Sequence, residues 1–583
     1  NARAGDQPGG QGDGRDADQP ESVWRVARFG RFWGIYFFSV GTYRHNFYYN
    51  RNQPSMTNSP LARPRNHDLF LVAILLAGLA LRLALAWQPV ELLIVKALPD
   101  DAYYYFNIAR HFAAGRGFTF DGLSQTNGFH PLWALLLGGL YALTSGSGDG
   151  PIHLALSISA LIDTATIGLI YLTLRRLTGD GGAACLGAAL YAFNPLLVIE
   201  AVNGLETALA ACLFALCSYW YLVKVRGTSK VRRTSQVMLG VVGGLMILAR
   251  TDSAFLLAVI ALDWLWRERR SGLLGLALTL AVAALVASPW IAWNAYILGG
   301  PVQSSGVAVP FVVRQYLFSA PRFPSPLLQY LAAVVYLGFI LWDNLWRYAR
   351  LEIVLLVAGL LLMAIRRQSL GDEAGRRFRG SLGLVAIPLA ASLLLLCAHA
   401  FGRWFVRGWY YVPAALSFVL TTGVALAYAR ERWARAGRPL GALSAIVLLA
   451  MALAFPWQGL PYWQPGLYIW QADMRQGADW LAENTAPQDR IGAFNAGMLA
   501  YYSGRTVINL DGVVNGAALE AIRERRILSY IQDQEIDYLF DWWVTINETY
   551  YPFFEPGYQS HLVELYAMPP RSETLYMVAY RVR

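Results

Sequence analysis

Charge is what this chain has least of. Asp, Glu, Lys and Arg make up 15% of its 583 residues, against about 25% in a soluble globular protein. The deficit runs along most of the length and argues against one large soluble core. With 56% hydrophobic residues and a mean hydropathy of +0.36, it calls for many apolar spans. Cysteine is rare in absolute number, with only four: Cys185, Cys212, Cys217 and Cys397 all lie within apolar runs. That placement points away from a disulfide framework or a zinc site and reads as small core residues. No solenoid-type internal repeat is present. The net charge of +10 falls mostly in short basic clusters between apolar runs, where membrane orientation explains it better than a nucleic-acid partner. What the chain has in quantity is aromatic: 20 Trp and 32 Tyr, suited to interfacial belts.

Residues 1–66 are poor in apolar side chains at their start and are read as a disordered or non-native segment. Met56, just before a basic stretch and the first apolar run, is a candidate natural start that N-terminal sequencing of the native protein would settle. From 67 onward, apolar runs of membrane length recur at 68–88, 151–174, 182–200, 206–223, 236–251, 253–266, 273–296, 350–365, 381–399, 408–429 and 440–456. The expected fold is therefore an α-helical polytopic membrane protein with about eleven transmembrane helices over 67–456. Basic residues follow every second span: Arg175, then Lys224 and Arg226, Arg267, Arg366 and Arg376, Arg430 and Arg435. By the positive-inside rule the N-terminus is cytoplasmic and the C-terminus external.

Residues 131–145 are too short to cross and are expected to lie on the outer interface, which makes 89–150 one long external loop. A second external stretch covers 298–348, where Pro301, Pro310, Pro321, Pro324 and Pro326 are expected to break any continuous helix. Beyond 457 the pattern becomes strand–helix–strand (IGAF, MLAYYSG, TVINLDG), then a helical run and two further strands. Residues 457–583 thus read as a small external α/β domain.

The first external loop carries the chemistry-bearing pattern, LPDDAYYYFNIARHFAAGRGFTFDGLSQTNGFHPLW. Asp100 and Asp101 open a helical stretch bearing Tyr103, Tyr104 and Tyr105. Two carboxylates there cap a helix and suit its dipole, or they provide a base or metal ligand beside an aromatic platform. Arg250, Arg403 and Arg407 fall at external helix ends; they snorkel to the interface or grip a phosphate. Arg82 and Asp163 lie inside spans and must face the protein interior, as a structural pair or along a groove. His130 starts the surface helix, as a structural residue or a substrate contact, and Asn127–Gly128 is a turn signal before it is a ligand contact. Trp542–Trp543 and the sequon at Asn547 are discounted.

This loop resembles the first external loop of the GT-C superfamily, polytopic glycosyltransferases that use polyprenyl-phosphate sugars. The likeness is to the branch with a DDAY-type motif, which includes arabinofuranosyl- and mannosyltransferase-like enzymes. It rests on Asp100–Asp101, Gly115–Phe118 and His130–Trp133, with Asn203–Thr207 similar to a GLET-type turn in the next external loop. The resemblance implies a membrane enzyme of glycan biosynthesis in the cell envelope, placed in a bacterial inner membrane. It would transfer a sugar from a lipid-linked donor, a polyprenyl phosphate, to an external glycan, lipid or protein acceptor.

It also implies Asp100 as the base, with Asp101 assisting, either by orienting the acceptor or by holding a divalent cation with Glu206. Tyr103, Asn127, His130, Glu206, Arg250, Arg403 and Arg407 complete the expected substrate contacts, with membrane lipids and no nucleic acid as partners. A phosphodiester-linked sugar already has a good leaving group, so one base without a partner acid predicts inversion. The rival reading is a lipid or solute transporter or flippase. It lacks inverted repeats here, and the acids it would need fall in external loops.

Overall fold

In the computed structural model, the residues described are 66–144, 148–228, 231–268, 272–317, 325–365, 371–402, 404 and 407–583. The segment 1–65 and Arg403 therefore lie outside them. Sixteen helices precede the C-terminal α/β domain among the described residues. The chain enters with α1 (Asn66–Ala86), then α2 (Val90–Lys96), α3 (Asp100–Ala113) and α4 (Pro131–Leu143). Next come α5 (Gly150–Thr178), α6 (Gly181–Phe193), α7 (Pro195–Ala201), α8 (Thr207–Tyr219) and α9 (Arg233–Ala249). They are followed by α10 (Ala254–Glu268), α11 (Leu273–Leu298), α12 (Ser305–Leu317) and α13 (Pro326–Ile365). The last three are α14 (Glu373–Phe401), α15 (Val412–Arg435) and α16 (Leu440–Trp463).

Eight of the described helices are long and apolar enough to cross a membrane, and the bent pair α6–α7 would make nine. Asn194 forms that bend: its carboxamide oxygen accepts from the amides of Leu196 and Leu197, capping α7, and Pro195 fills the first position, where no N–H is needed. At 17 and 15 residues, α9 and α10 fall short of that crossing length. The helix α4 is also short; it buries Trp133, Leu137 and Tyr141 and exposes Leu135, Leu136 and Leu143, as a surface helix should.

The stretch 298–348 differs from expectation. It is largely helical among its described residues: α12 contains Pro310, and α13 runs through to Ile365 with a kink at Ala349 (φ −124°). Pro301 does fall in the break between α11 and α12, and Pro321 and Pro324 lie outside the described residues, but Pro310 and Pro326 do not break a helix because of where they stand. Pro326 begins α13, where its missing N–H costs nothing, and Pro310 comes only five residues into α12, removing a single ladder bond.

Inside the bundle, Arg82 and Asp163 form a fully buried pair, Nε to Oδ2 at 2.6 Å. Arg82 also donates to the carbonyls of Gly78 and Ala192, and Tyr191 donates to Asp163 at 2.7 Å. This settles the sequence alternatives as a structural pair tying α1 to α5 and α6. Removing Arg82 would strand the carboxylate, so Arg82→Met should cost about 3–5 kcal/mol, measured as a lower thermal midpoint in detergent. An unchanged midpoint would contradict it.

At one end of the bundle the basic residues meet acids of neighbouring helices: Arg175 with Asp68, Arg430 with Asp180, and Arg432 with Asp372. At the opposite end stand Asp100, Glu206, Arg250 and the external domain. That domain begins with α17 (Gln471–Asn484) and holds a five-stranded sheet of β1 (Arg490–Ala493), β2 (Thr506–Asn509), β3 (Tyr538–Trp542), β4 (Leu562–Ala567) and β5 (Met577–Val582). The order is β2-β1-β3-β5-β4, with β1 parallel to β2 and β3, and β5 antiparallel to both its neighbours. Between strands lie α18 (Gly497–Tyr502), α19 (Gly516–Glu524) and α20 (Ile527–Asp533). The carboxyl ends of parallel strands are where α/β sheets place their ligand crevices. Here the ends of β1 and β2 face the first external loop.

Candidate active site

Adjacent in sequence, Asp100 and Asp101 have separate fates. Asp100 is 9% exposed, and both carboxylate oxygens are engaged: Oδ1 accepts from the amide of Met498 at 2.6 Å and Oδ2 from that of Gly497 at 3.2 Å. Its own amide donates to Oε1 of Gln471, whose Nε2 donates to the Leu98 carbonyl. The first acid of the pair thus clamps the start of α18 to the start of α3. A Cβ on Gly497 would lie 2.4 Å from the Asp100 carbonyl, so only glycine permits this approach.

Asp101, one residue on, is exposed. Surrounding protein still raises its carboxyl above the ordinary value, with Arg407 opposing the rise and Glu206 adding to it. Asp101, Arg407 and Glu206 mark a candidate recess where the bundle meets the C-terminal domain, and Asp101 is its accessible carboxylate.

Across the recess, Glu206 is buried and accepts from Arg250 Nη1 at 2.8 Å. The other side of the same guanidinium, through Nε and Nη2, meets Asp252 at 3.0–3.2 Å, and the cation lies 4.0 Å from the centre of the Tyr410 ring. Burial works against the charge on Asp252, yet Arg250 and His399 hold its carboxyl below the usual range. Arg250 is 4% exposed and fully committed to these partners. His130 Nε2 stands 3.7 Å from Glu206, and burial lowers its pKa, so its imidazole is neutral at pH 7.

Arg407 is exposed and reaches the recess beside Asp101. It is placed there by Gly408, where a Cβ would fall 2.1 Å from Glu200 Oε1. Glu200 in turn accepts from Tyr348 and from Asn203 Nδ2 at 2.8 Å.

The remaining expected contacts hold the loop instead of facing the recess. Tyr103 is fully buried, its hydroxyl 3.1 Å from that of Tyr502 and its ring against Tyr501. Asn127 is 4% exposed, donates to the Val302 carbonyl and accepts from the Ser304 amide. Next to it, Gly128 lies so close to the turn after β2 that a Cβ would sit 1.8 Å from the Val513 carbonyl.

Two residues that the sequence reading missed join the recess. Tyr468, on the strap from α16 to α17, donates its amide to the Val95 carbonyl at 2.9 Å. Its hydroxyl neighbours the charges of Glu200, Arg407 and Asp101. Asp511 follows β2 and accepts from the Val513 amide at 2.7 Å; burial pushes it up to about 7, with Asp101 and Asp541 adding to the rise. The signal for Asp511 was its LDG turn after a parallel strand.

Burial likewise pushes Asp100 up to about 7. The folded protein therefore binds protons at Asp100 and Asp511 that the unfolded chain releases above the ordinary carboxylate range. Their stabilising contribution is full below about pH 4 and declines as pH rises to about 7. The thermal midpoint should fall between about pH 5 and about pH 8, and Asp511→Asn should flatten the fall. An equally steep profile in that variant would contradict the assignment.

Among the described residues, no group of three or more His, Cys, Asp or Glu is placed to hold a metal ion. Asp101 and Glu206 alone do not make a ligand set for a divalent cation, since Arg250 already occupies Glu206.

Comparison with known proteins agrees with this architecture. A family profile described as dolichyl-phosphate-mannose-protein mannosyltransferase matches residues 130–293, and a domain family of unknown function (DUF8728) matches 467–577. A search of curated proteins returns no match. Among solved structures, the archaeal oligosaccharyltransferase AglB from Archaeoglobus fulgidus, in complex with an inhibitory peptide and a dolichol-phosphate, aligns at TM-score 0.54 and 15% identity. That alignment covers 88% of this chain and 74% of AglB. ArnT from Cupriavidus metallidurans, bound to undecaprenyl phosphate, aligns at TM-score 0.51 and 14% identity, covering 89% of this chain and 98% of its own. These likenesses show that the chain shares the fold of AglB and ArnT.

Proposed function

We propose that this chain is an inverting membrane glycosyltransferase that moves a sugar from a polyprenyl phosphate to a hydroxyl or other nucleophile of an external glycan, lipid or protein. The observation that carries the proposal is the placement of Asp101, an exposed carboxylate at the start of α3 within electrostatic reach of the Arg407 guanidinium and of Glu206. Two solved structures of the same fold hold a dolichol-phosphate and an undecaprenyl phosphate, which supports that donor class here.

Asp101, not Asp100, takes the role of base in this scheme. The acceptor group gives its proton to Asp101 as its oxygen or nitrogen bonds to the anomeric carbon. The bond from that carbon to the phosphate oxygen breaks on the opposite face, and polyprenyl phosphate leaves with the electron pair. Arg407 meets the charge that develops on the phosphate. Glu206, held by Arg250, and the neutral His130 position the acceptor, while Asp100 fixes the loop. No step needs a metal ion, and none is routed through one.

We further propose that α9 and α10 cross the membrane as well, giving eleven spans over 67–456, with 457–583 as the external domain. On this reading the Arg175, Arg430 and Arg432 end is cytoplasmic, in a bacterial inner membrane, and the positive-inside distribution supports it. Impermeant labelling of a C-terminal tag in intact cells tests the orientation.

The function is tested by incubating purified full-length protein with a panel of labelled polyprenyl-phosphate sugars. Sugar transfer or sugar release from one of them is expected. Lipid scrambling in proteoliposomes with no release from any donor would favour the transporter reading.

A further inference from the structure

A second polar site lies at the far end of α3. A cavity of about 340 Å³ opens there between the first external loop and the external domain. Its walls carry Arg110, His111 and Arg116 from the loop and Arg505 from the turn before β2, against one carboxylate, Asp121.

The guanidinium groups are held by neutral partners. Arg110 donates to Asn107 Oδ1 at 2.8 Å and to the carbonyls of Ala500 and Tyr501 at 3.3 and 3.4 Å. Arg505 donates to the carbonyls of Ala482 and Thr485 at 2.6 and 2.8 Å and to Thr485 Oγ1 at 3.0 Å. Asp121 spends its Oδ1 on the amides of Leu123 and Ser124. Among the described residues, no carboxylate pairs with Arg110, Arg116 or Arg505.

A gap between two of the walls completes the site. Arg116 Nη1 and His111 Nε2 lie 3.1 and 3.5 Å from the point where a Cβ on Gly122 would stand, and Gly122 (φ +80°) leaves that point empty. His111 Nδ1 donates to the Thr119 carbonyl at 3.1 Å, so Nε2 of the neutral ring turns a lone pair toward the gap and can accept from a protonated phosphate oxygen. Arg110 and Arg505 are held by carbonyl, amide and hydroxyl oxygens and Arg116 stands exposed beside them, so three guanidinium charges without a carboxylate partner line the cavity, a charge that a tetrahedral oxyanion satisfies.

We propose that this cavity binds a phosphate group. Arg110 follows Asp101 by nine residues of helix, about 14 Å, so the site is separate from any phosphate leaving at Asp101. Its ligand is a phosphate free in solution or carried by a soluble molecule, or else an anionic lipid headgroup.

Titration calorimetry of the purified full chain with inorganic phosphate tests the proposal. In zwitterionic nanodiscs, saturable binding is expected, weakened about tenfold or more by Arg116→Ala. Arg116 is exposed, so this variant should fold. Arg407→Ala should leave the binding intact. Loss with Arg407→Ala alone would move the anion to the recess and overturn the proposal, as would wild-type binding by Arg116→Ala or no binding at all. In nanodiscs rich in phosphatidylglycerol, suppressed phosphate binding identifies the lipid headgroup as the source, and undiminished binding identifies a soluble phosphate. This outcome does not depend on the transfer assay, so the two proposals stand or fall separately.

Discussion

Asp101→Asn should lower sugar transfer by about two to four orders of magnitude while leaving the thermal midpoint close to that of the unaltered protein. Its side chain is exposed in the recess and holds no other element in place, so its loss removes a proton acceptor and little else. Asp100→Ala should behave in the opposite way. It leaves the amides of Gly497 and Met498 without their acceptor, at about 1–3 kcal/mol for each buried donor. The expected result is a lower midpoint and an external domain cut more readily by protease, with transfer falling only as far as the folded fraction falls. The adjacent positions make the comparison sharp. Should Asp100→Ala stay fully folded and lose all transfer while Asp101→Asn remains active, the base would have to be reassigned to the first carboxylate.

Arg250→Met is the second substitution with a large expected effect. Glu206 is buried and Asp252 is largely enclosed, and this guanidinium is the cation they share, with His399 a second partner of Asp252. Leaving buried acids without their cation costs about 3–5 kcal/mol. Methionine also gives up the cation–π contact with Tyr410. Transfer should fall with stability, and in the fraction that still folds KM for the acceptor should rise more than kcat falls, because Glu206 loses its fixed position. Arg250→Lys restores the charge but not the fork, and recovery should be partial. A variant with unchanged midpoint and unchanged KM would show that the network is dispensable.

Much of the membrane scaffold was legible in the sequence because lipid imposes simple rules of length and charge placement. The bent pair α6–α7 and the short α9 and α10 are the places where composition alone gives no count. In the stretch 298–348 the helices α12 and the first part of α13 were missed because prolines were weighed by number. Where each one falls in its helix decides the outcome, as Pro310 and Pro326 illustrate.

Within the site, the loop pattern located the acidic pair but not the difference between its members. That difference comes from the start of α18, nearly 400 residues further along the chain. No local pattern carries such information. Tyr103 failed as a substrate platform for the same reason, since its partners Tyr501 and Tyr502 belong to the external domain. Asp511 was missed although its LDG turn after a parallel strand was a signal, and Tyr468 was missed because it sits in no run that announces chemistry.

The amide of Gln471 bridges the Leu98 carbonyl and the Asp100 backbone N–H, so the outer domain completes the hydrogen bonding of a loop it is not contiguous with. Anyone exchanging this domain for that of a relative, to redirect the choice of substrate, would need to transplant residues 98–128 along with it. The two segments act as one graftable unit, and a chimera that splits them should be recovered only as aggregate.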